Sequence, residues 1–444
     1  MISRAQLLHG RTKFLSPILN TFQAFKEPFC VTKSSGQYLW DENNKKYLDL
    51  LAQNLTISVG HNHPRVIDAA KKQMDKLTHC TTMYLSEPNM KCAEKLIETL
   101  PKNDWVVHFV NSGTEAVDLA IMMARVYTGN FDMLALQNSY HGLHGIAHSA
   151  TGLHTCKQHI PNTSGIYHVT KPDMYRGNFR LNPEKYVDDV KDTITYSTSN
   201  RVAGLIYEKV QGFGGIHILP DGYIKEAAKH VRDAGGLLIA DEVQSGFGRM
   251  GSPYFWSFEM DEGVTPDIVV TAKGLGNGFP IAAVMVHRSI AEAMTEKSFF
   301  NTYGGNPTVC AAASAVLDVL KDENVADHSK KLGDILNKEL NNIKNNYSFI
   351  GDVRGKGLMW GVEIANNDKN PLTELAINIF EDLRHEGLIF GLGGLYKNIL
   401  RIMPPMCLTE EDLYKTFSKM RKVFNKYPAP KTKKTSYTDH KWRY

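Results

Sequence analysis

Leu237-Leu238-Ile239-Ala240-Asp241-Glu242 decides the reading of this chain: four consecutive apolar residues run straight into a pair of carboxylates. An unbroken apolar run of this length is what a strand covered by helices on both faces requires. Thirty-two residues after Asp241 the pattern repeats, as Ile268-Val269-Val270 passes through Thr271-Ala272 into Lys273 and then Gly274, Gly276 and Gly278. Working outward, Trp105 to Val110, Met133 to Leu136, Val202 to Tyr207 and Ala282 to Val286 read as further strands, separated by helical stretches. The alternation predicts an α/β fold with a doubly wound, mostly parallel sheet. Ligands of such sheets gather just beyond the carboxyl ends of the strands, where Asp241 and Lys273 fall.

A carboxylate delivered there needs a cationic partner or several hydrogen bonds, because burying it alone is costly. Taken singly, Asp241 and Lys273 would be an ion pair at the sheet edge. Taken together they suit an aldehyde cofactor, with lysine forming an imine and aspartate keeping a pyridine nitrogen protonated. Asn111-Ser112-Gly113-Thr114 stands between the strand ending at Val110 and a helix with Val117, Ala120, Ile121 and Ala124 on one face. Ser112 or Thr114 would cap that helix, whose free N–H groups suit an anion. Tyr140-His141-Gly142 follows another strand and offers a ring that could stack on a planar cofactor.

Read together, these residues resemble the class III pyridoxal-phosphate-dependent aminotransferases. The matching stretches are Gly60-His61-Asn62-His63-Pro64, Asn111 to Ala116, Tyr140-His141-Gly142, Ala240 to Arg249, Ala272-Lys273-Gly274 and Thr302 to Pro307. The resemblance implies the type I fold of pyridoxal-phosphate enzymes, with a large cofactor domain and a smaller α+β domain. It implies that Lys273 holds the cofactor as a Schiff base and shuttles the proton, and that Asp241 pairs with the ring nitrogen. Val243 and Tyr140 would cover the two ring faces, and Gln244 would bond the phenolic oxygen. Ser112, Gly113 and Thr114 would cradle the phosphate, and Thr302 would reach the phosphate of a neighbouring subunit, which implies a homodimer and leaves a tetramer open. Arg401 would grip the substrate carboxylate, and Glu208 would neutralise Arg401 when the substrate end is not a carboxylate.

Thr56 to His61, Ala272 to Pro280 and Gly351 to Met359 resemble the alanine–glyoxylate branch of that family. Its members are mitochondrial and move amino groups from alanine or similar donors to glyoxylate or pyruvate. A phospho-lyase acting on a phosphorylated amino alcohol is the alternative with the same cofactor. Two departures bear on substrate: Lys209 stands where the family usually has proline, and Gln53-Asn54 where relatives carry glycine and an aliphatic residue.

Composition narrows the rest. A chain of 444 residues with 42% apolar content builds a large core, and a net charge of +4 with scattered basic residues gives little support for nucleic-acid binding. No apolar run is long enough to span a membrane. The six cysteines show no C-x-x-C pair, and His61 with His63 lacks a third ligand, so neither a disulfide framework nor a metal site is expected. Arg4, Arg11 and Lys13 precede the first acidic residue, Glu27, which fits a short mitochondrial targeting segment or an ordinary basic helix in a cytoplasmic protein. The expected division is residues 1–65 joining a small domain, 66–329 as the large cofactor domain, 330–427 as the rest of the small domain and 428–444 as a loose basic tail.

Overall fold

The computed structural model describes residues 3–22, 25–162 and 165–427; the expected tail at 428–444 lies outside them. A seven-stranded sheet forms the centre, in the order Trp105–Val110, Ala282–His287, Ile268–Thr271, Leu237–Asp241, Gly204–Tyr207, Met133–Leu136, Ile166–Val169. Five neighbouring strands pair in parallel, from Ile268–Thr271 to Ile166–Val169. Ala282–His287 is antiparallel to both its neighbours. The Leu237–Asp241 strand is buried at all five positions and sits in the middle. A single polar residue on its inward side would cost more than the strand gains, which is why its only carboxylate stands at its end.

The helix Gly113–Thr128 crosses one face of the sheet, with Val117, Ala120, Ile121 and Ala124 all buried. Ser112 is its cap, accepting from the Glu115 N–H at 3.3 Å. The choice between Ser112 and Thr114 is thereby decided, because only Ser112 has the extended backbone of a cap.

Both ends of the chain meet beside this core. A sheet of Val31–Ser35, Tyr38–Asp41 and Lys46–Asp49 takes Leu388–Ile389 as its fourth strand, in parallel with Lys46–Asp49. Gln37 and Tyr38 donate to the Asp412 carboxylate at 2.6 and 2.5 Å. Ile350–Lys356, Met359–Ile364, Ile399–Ile402 and Gly391–Gly393 form another antiparallel sheet, which carries Arg401. The basic N-terminal run is a helix, Arg4–Phe14, and Arg4 donates to the Pro28 carbonyl at 2.5 Å. Among the described residues no helix is long and apolar enough to cross a membrane.

At Ala52, Gln53, Asn54 and Leu55 the backbone turns left-handed for four residues, with φ of 51°, 48°, 65° and 70°. Each such residue carries a strain of roughly 1 kcal/mol or more. The turn is held by Asp49, whose carboxylate accepts from the Leu51 and Gln53 N–H groups and meets His61 at 2.9 Å. Leu55 is pinned in a pocket of Val210, Ile216, Met250, Met359 and Met403. Gln53 is therefore exposed and Asn54 half-buried.

Candidate active site

The strand ends deliver the two residues singled out by the sequence to one place. Asp241 is 4% exposed, and its carboxylate meets His141 Nδ1 at 2.6 Å and accepts from the Val243 N–H at 3.1 Å. One strand over, Lys273 opens a short 3-10 turn with φ of 36°, a left-handed value that few lysines adopt. The following Gly274 makes the turn possible: its carbonyl accepts from Ser58 at 2.6 Å, and an added Cβ would press on Phe247 at 3.2 Å. Burial pulls the Lys273 amine down to about 8, although Asp241 and Glu208 favour its charged form; Arg401 pushes further down. A lysine so poised has a sizeable neutral fraction near neutrality, as a nucleophile for a carbonyl needs.

Glu208 and Arg401 face this pair. Glu208 is 2% exposed and accepts from the Tyr140 and Gly212 N–H groups at 2.9 and 3.2 Å. Burial raises it to about 7, against the pull of His141. Glu208 acts on Arg401 through its charge, without a direct ion pair, and the Arg401 guanidinium stands 5.2 Å from the Phe213 ring. Arg401 is 3% exposed, yet its Nε and Nη1 have no hydrogen-bond partner. Burial draws it down to about 10, and Glu208 is the group that supports its charge. A buried guanidinium with unsatisfied donors is a receptor awaiting an anion, because leaving such donors bare costs about 1–3 kcal/mol each.

The remaining predicted residues lie on several other segments. Tyr140 is half-buried and its ring lies 5.3 Å from Phe213. Gly113 stands directly over Val243, since a Cβ there would lie 3.2 Å from Val243 Cγ1. Gln244 is buried against Gly212. Thr114 lies under Gly142 in the first turn of its helix, and Ser112 is exposed at its start. Thr302 is exposed on a loop whose neighbour Asn301 bonds Asn111 at 3.0 Å and Glu115 at 3.1 Å, so the loop is fastened beside the same helix start.

The site suits pyridoxal phosphate in three ways: a half-buried amine of lowered basicity, a held carboxylate on the neighbouring strand, and a helix start with room only for glycine. Gly113→Ala is expected to weaken cofactor retention about tenfold, since the new methyl must displace Val243 or the chain around the anion. Titrating apoprotein with pyridoxal phosphate measures it.

Three contributions were not read from the sequence. His141, one residue of a motif in the sequence, buttresses Asp241 in the fold. Phe213, from a glycine-rich run, covers Arg401 and Tyr140. Glu242 faces away from the site and accepts from Ser257 and Ser245 hydroxyls and the Phe258 N–H. Alternation along a strand could have separated Glu242 from Asp241, but not shown its partners. His61 and His63 serve Asp49 and Glu323 separately.

Known proteins similar to this chain point to one family. The profile of the family described as aminotransferase class-III matches residues 22–424. A protein of Arabidopsis thaliana named alanine–glyoxylate aminotransferase 2 homolog 2, mitochondrial, is 42% identical over 408 residues, spanning 91% of this chain and 84% of that protein. One of Caenorhabditis elegans named ethanolamine-phosphate phospho-lyase homolog 1 is 39% identical, spanning 95% and 93%. The crystal structure of a phospholyase from Arthrobacter in complex with phosphoethanolamine superposes with a TM-score of 0.87 at 31% identity, covering 95% of this chain and all of that one. With a family match over nearly the whole length, the chain belongs to the class III aminotransferases, enzymes that work with pyridoxal phosphate.

Proposed function

We propose that the chain transfers the amino group of a small amino acid, alanine or a β-amino acid such as β-aminoisobutyrate, to glyoxylate or pyruvate in two half-reactions. The observation that carries this reading is Arg401, a buried guanidinium with two unpartnered nitrogens. It calls for a substrate carboxylate, which both alanine and glyoxylate have.

Bound pyridoxal phosphate supplies an electron-accepting ring that lets a C–H bond beside nitrogen be broken. The chain's own residues do the rest in this reading. Lys273 carries the proton between substrate carbon and cofactor, and Asp241, kept in place by His141, holds the ring nitrogen protonated. Ser112, Gly113 and Thr114 bind the phosphate, Val243 and Tyr140 confine the ring, and Gln244 bonds its oxygen. Thr302 of a second copy would complete the phosphate site in a homodimer, or in a tetramer built from it. The domain division expected from the sequence, with its boundaries near 65 and 330, belongs to the same proposal. So does a mitochondrial location, with a cytoplasmic one as the alternative; the names of the plant and animal relatives support the former.

Capture of the cofactor should follow the Lys273 amine. Only the neutral amine attacks an aldehyde, so the capture rate is expected to rise with pH and level off above about 8. Stopped-flow absorbance after mixing apoprotein with pyridoxal phosphate reads this directly, and a rate flat between pH 6 and 9 would contradict it.

A phospho-lyase is the second reading, favoured by the names of the C. elegans relative and the Arthrobacter structure. Such an enzyme needs spare positive charge for a substrate phosphate. Three half-buried cations elsewhere are already engaged: Lys171 with Asp173 at 2.8 Å, Arg354 with Asp352 and Glu363 at 2.9 and 2.7 Å, and Arg176 with Glu363. Incubation with alanine and glyoxylate is expected to yield pyruvate and glycine. Release of ammonia and phosphate from phosphoethanolamine, without glycine in the first assay, would transfer the assignment to the lyase.

A further inference from the structure

Lys209 is among the most deeply buried side chains of the described residues. Its ammonium donates to Asp261 Oδ1 at 2.6 Å and to the Leu219 carbonyl at 3.2 Å, with both charged side chains fully enclosed. Burying two charges is expensive, and an apolar pair of the same volume is often as stable or more so. What such a pair supplies is a fixed geometry, and its surroundings indicate what is being fixed.

The ladder between the two central strands ends at Tyr207 and Ala240. Glu208, the next residue, is already beyond it on that side. The backbone then enters a small hairpin, Val210–Gln211 against His217–Ile218, whose loop carries Gly212 and Phe213 into the site. Lys209 closes the base of that hairpin twice, with its backbone carbonyl accepting from the Leu219 N–H at 3.0 Å and its ammonium reaching the Leu219 carbonyl. Asp261 in turn follows the 3-10 turn Ser257–Met260. That turn is clamped by Glu242, which accepts from Ser257 Oγ and the Phe258 N–H, each at 2.7 Å. Each site carboxylate is thus followed by a buried charged residue facing away from the site, Asp241 by Glu242 and Glu208 by Lys209. The two rearward residues meet on one turn.

We propose that Glu242, the Ser257–Asp261 turn and Lys209 form a brace behind the site that holds Glu208 and the Phe213 loop in register with Asp241, and that Lys209 is its positioning residue. The proposal rests on the transaminase reading of the site. The charged groups around the Lys273 nitrogen are Asp241 and Glu208, which favour its positive form, and Arg401, which opposes it. If the brace lets go, Glu208 moves out of register and its support for the Lys273 charge weakens.

The test uses the holoenzyme loaded with pyridoxal phosphate and follows its visible band against pH, alongside the thermal midpoint. Lys209→Met alone leaves Asp261 buried without a counter-charge and is expected to lower the melting temperature. The double variant Lys209→Met with Asp261→Asn removes that charge and is expected to regain most of the stability. In the double variant the band's pH midpoint is expected to fall by about 0.5 unit or more, in the same direction as in Glu208→Gln. A folded double variant with the parental midpoint overturns the brace. Should the double variant not fold, Asp261→Asn decides by the same criterion. Absence of any visible band in the parent protein would defeat the transaminase reading itself, whereas a parental midpoint in a variant that shows the band defeats only the brace.

Discussion

Lys273→Ala is expected to lower turnover on the order of 10⁴-fold or more, the upper range for removing a group that moves the reacting proton. The loss should be chemical and not structural. Lys273 is held with its basicity depressed by burial, to about 8. A lysine whose folded value lies below its unfolded one opposes folding at all pH values where it must be charged, and this penalty fades as pH rises through that window. Below about pH 8 the alanine apoprotein is therefore expected to melt no lower than the parent apoprotein. The variant should still bind pyridoxal phosphate through the helix start at Gly113, but should lose it on dialysis and lack the parental visible band. Equal turnover in parent and variant, or a cooperative collapse of the variant, would contradict this assignment.

Arg401→Ala should produce the second-largest effect, and a selective one. Hydrogen bonds to charged groups contribute about 1.5–3 kcal/mol each, so losing a two-pronged grip is expected to lower kcat/KM for alanine about 10²–10⁴-fold. Most of the loss should appear in KM if the carboxylate is held equally throughout the reaction. An amine lacking a carboxylate should suffer little, because it never used that grip. Arg401→Lys should recover only part of the loss, since a point charge cannot reproduce the planar fork. A uniform loss for both kinds of donor would mean that Arg401 shapes the site and does not read the substrate.

Why the site could be located from the sequence while its wiring could not is clear from particular residues. The strands Trp105–Val110 and Met133–Leu136 fall where their apolar runs place them. The expected Val202 start moves to Gly204, because Val202 and Ala203 lie in the entry to the strand. The edge strand Ile166–Val169 has no clear apolar run, because Tyr167 and His168 interrupt it. The Val210–Ile218 hairpin has strands of two residues, too short for any periodicity. Lys209 stood out as a departure from proline, but its partner Asp261 lies 52 residues away and nothing local links them. The left-handed turn at Ala52–Leu55 likewise depends on Asp49 and His61, not on residues that prefer such a backbone. That Arg401 keeps bare nitrogens is a property of its surroundings, which no spacing encodes.

The absorbance spectrum of the holoenzyme, followed as alanine and then glyoxylate are added, tests the transaminase assignment most directly. The visible band is expected to decline with alanine as the amino group passes to the cofactor, and to return with glyoxylate as it is handed on. A band that alanine leaves untouched, but that phosphoethanolamine perturbs with release of phosphate, would contradict it.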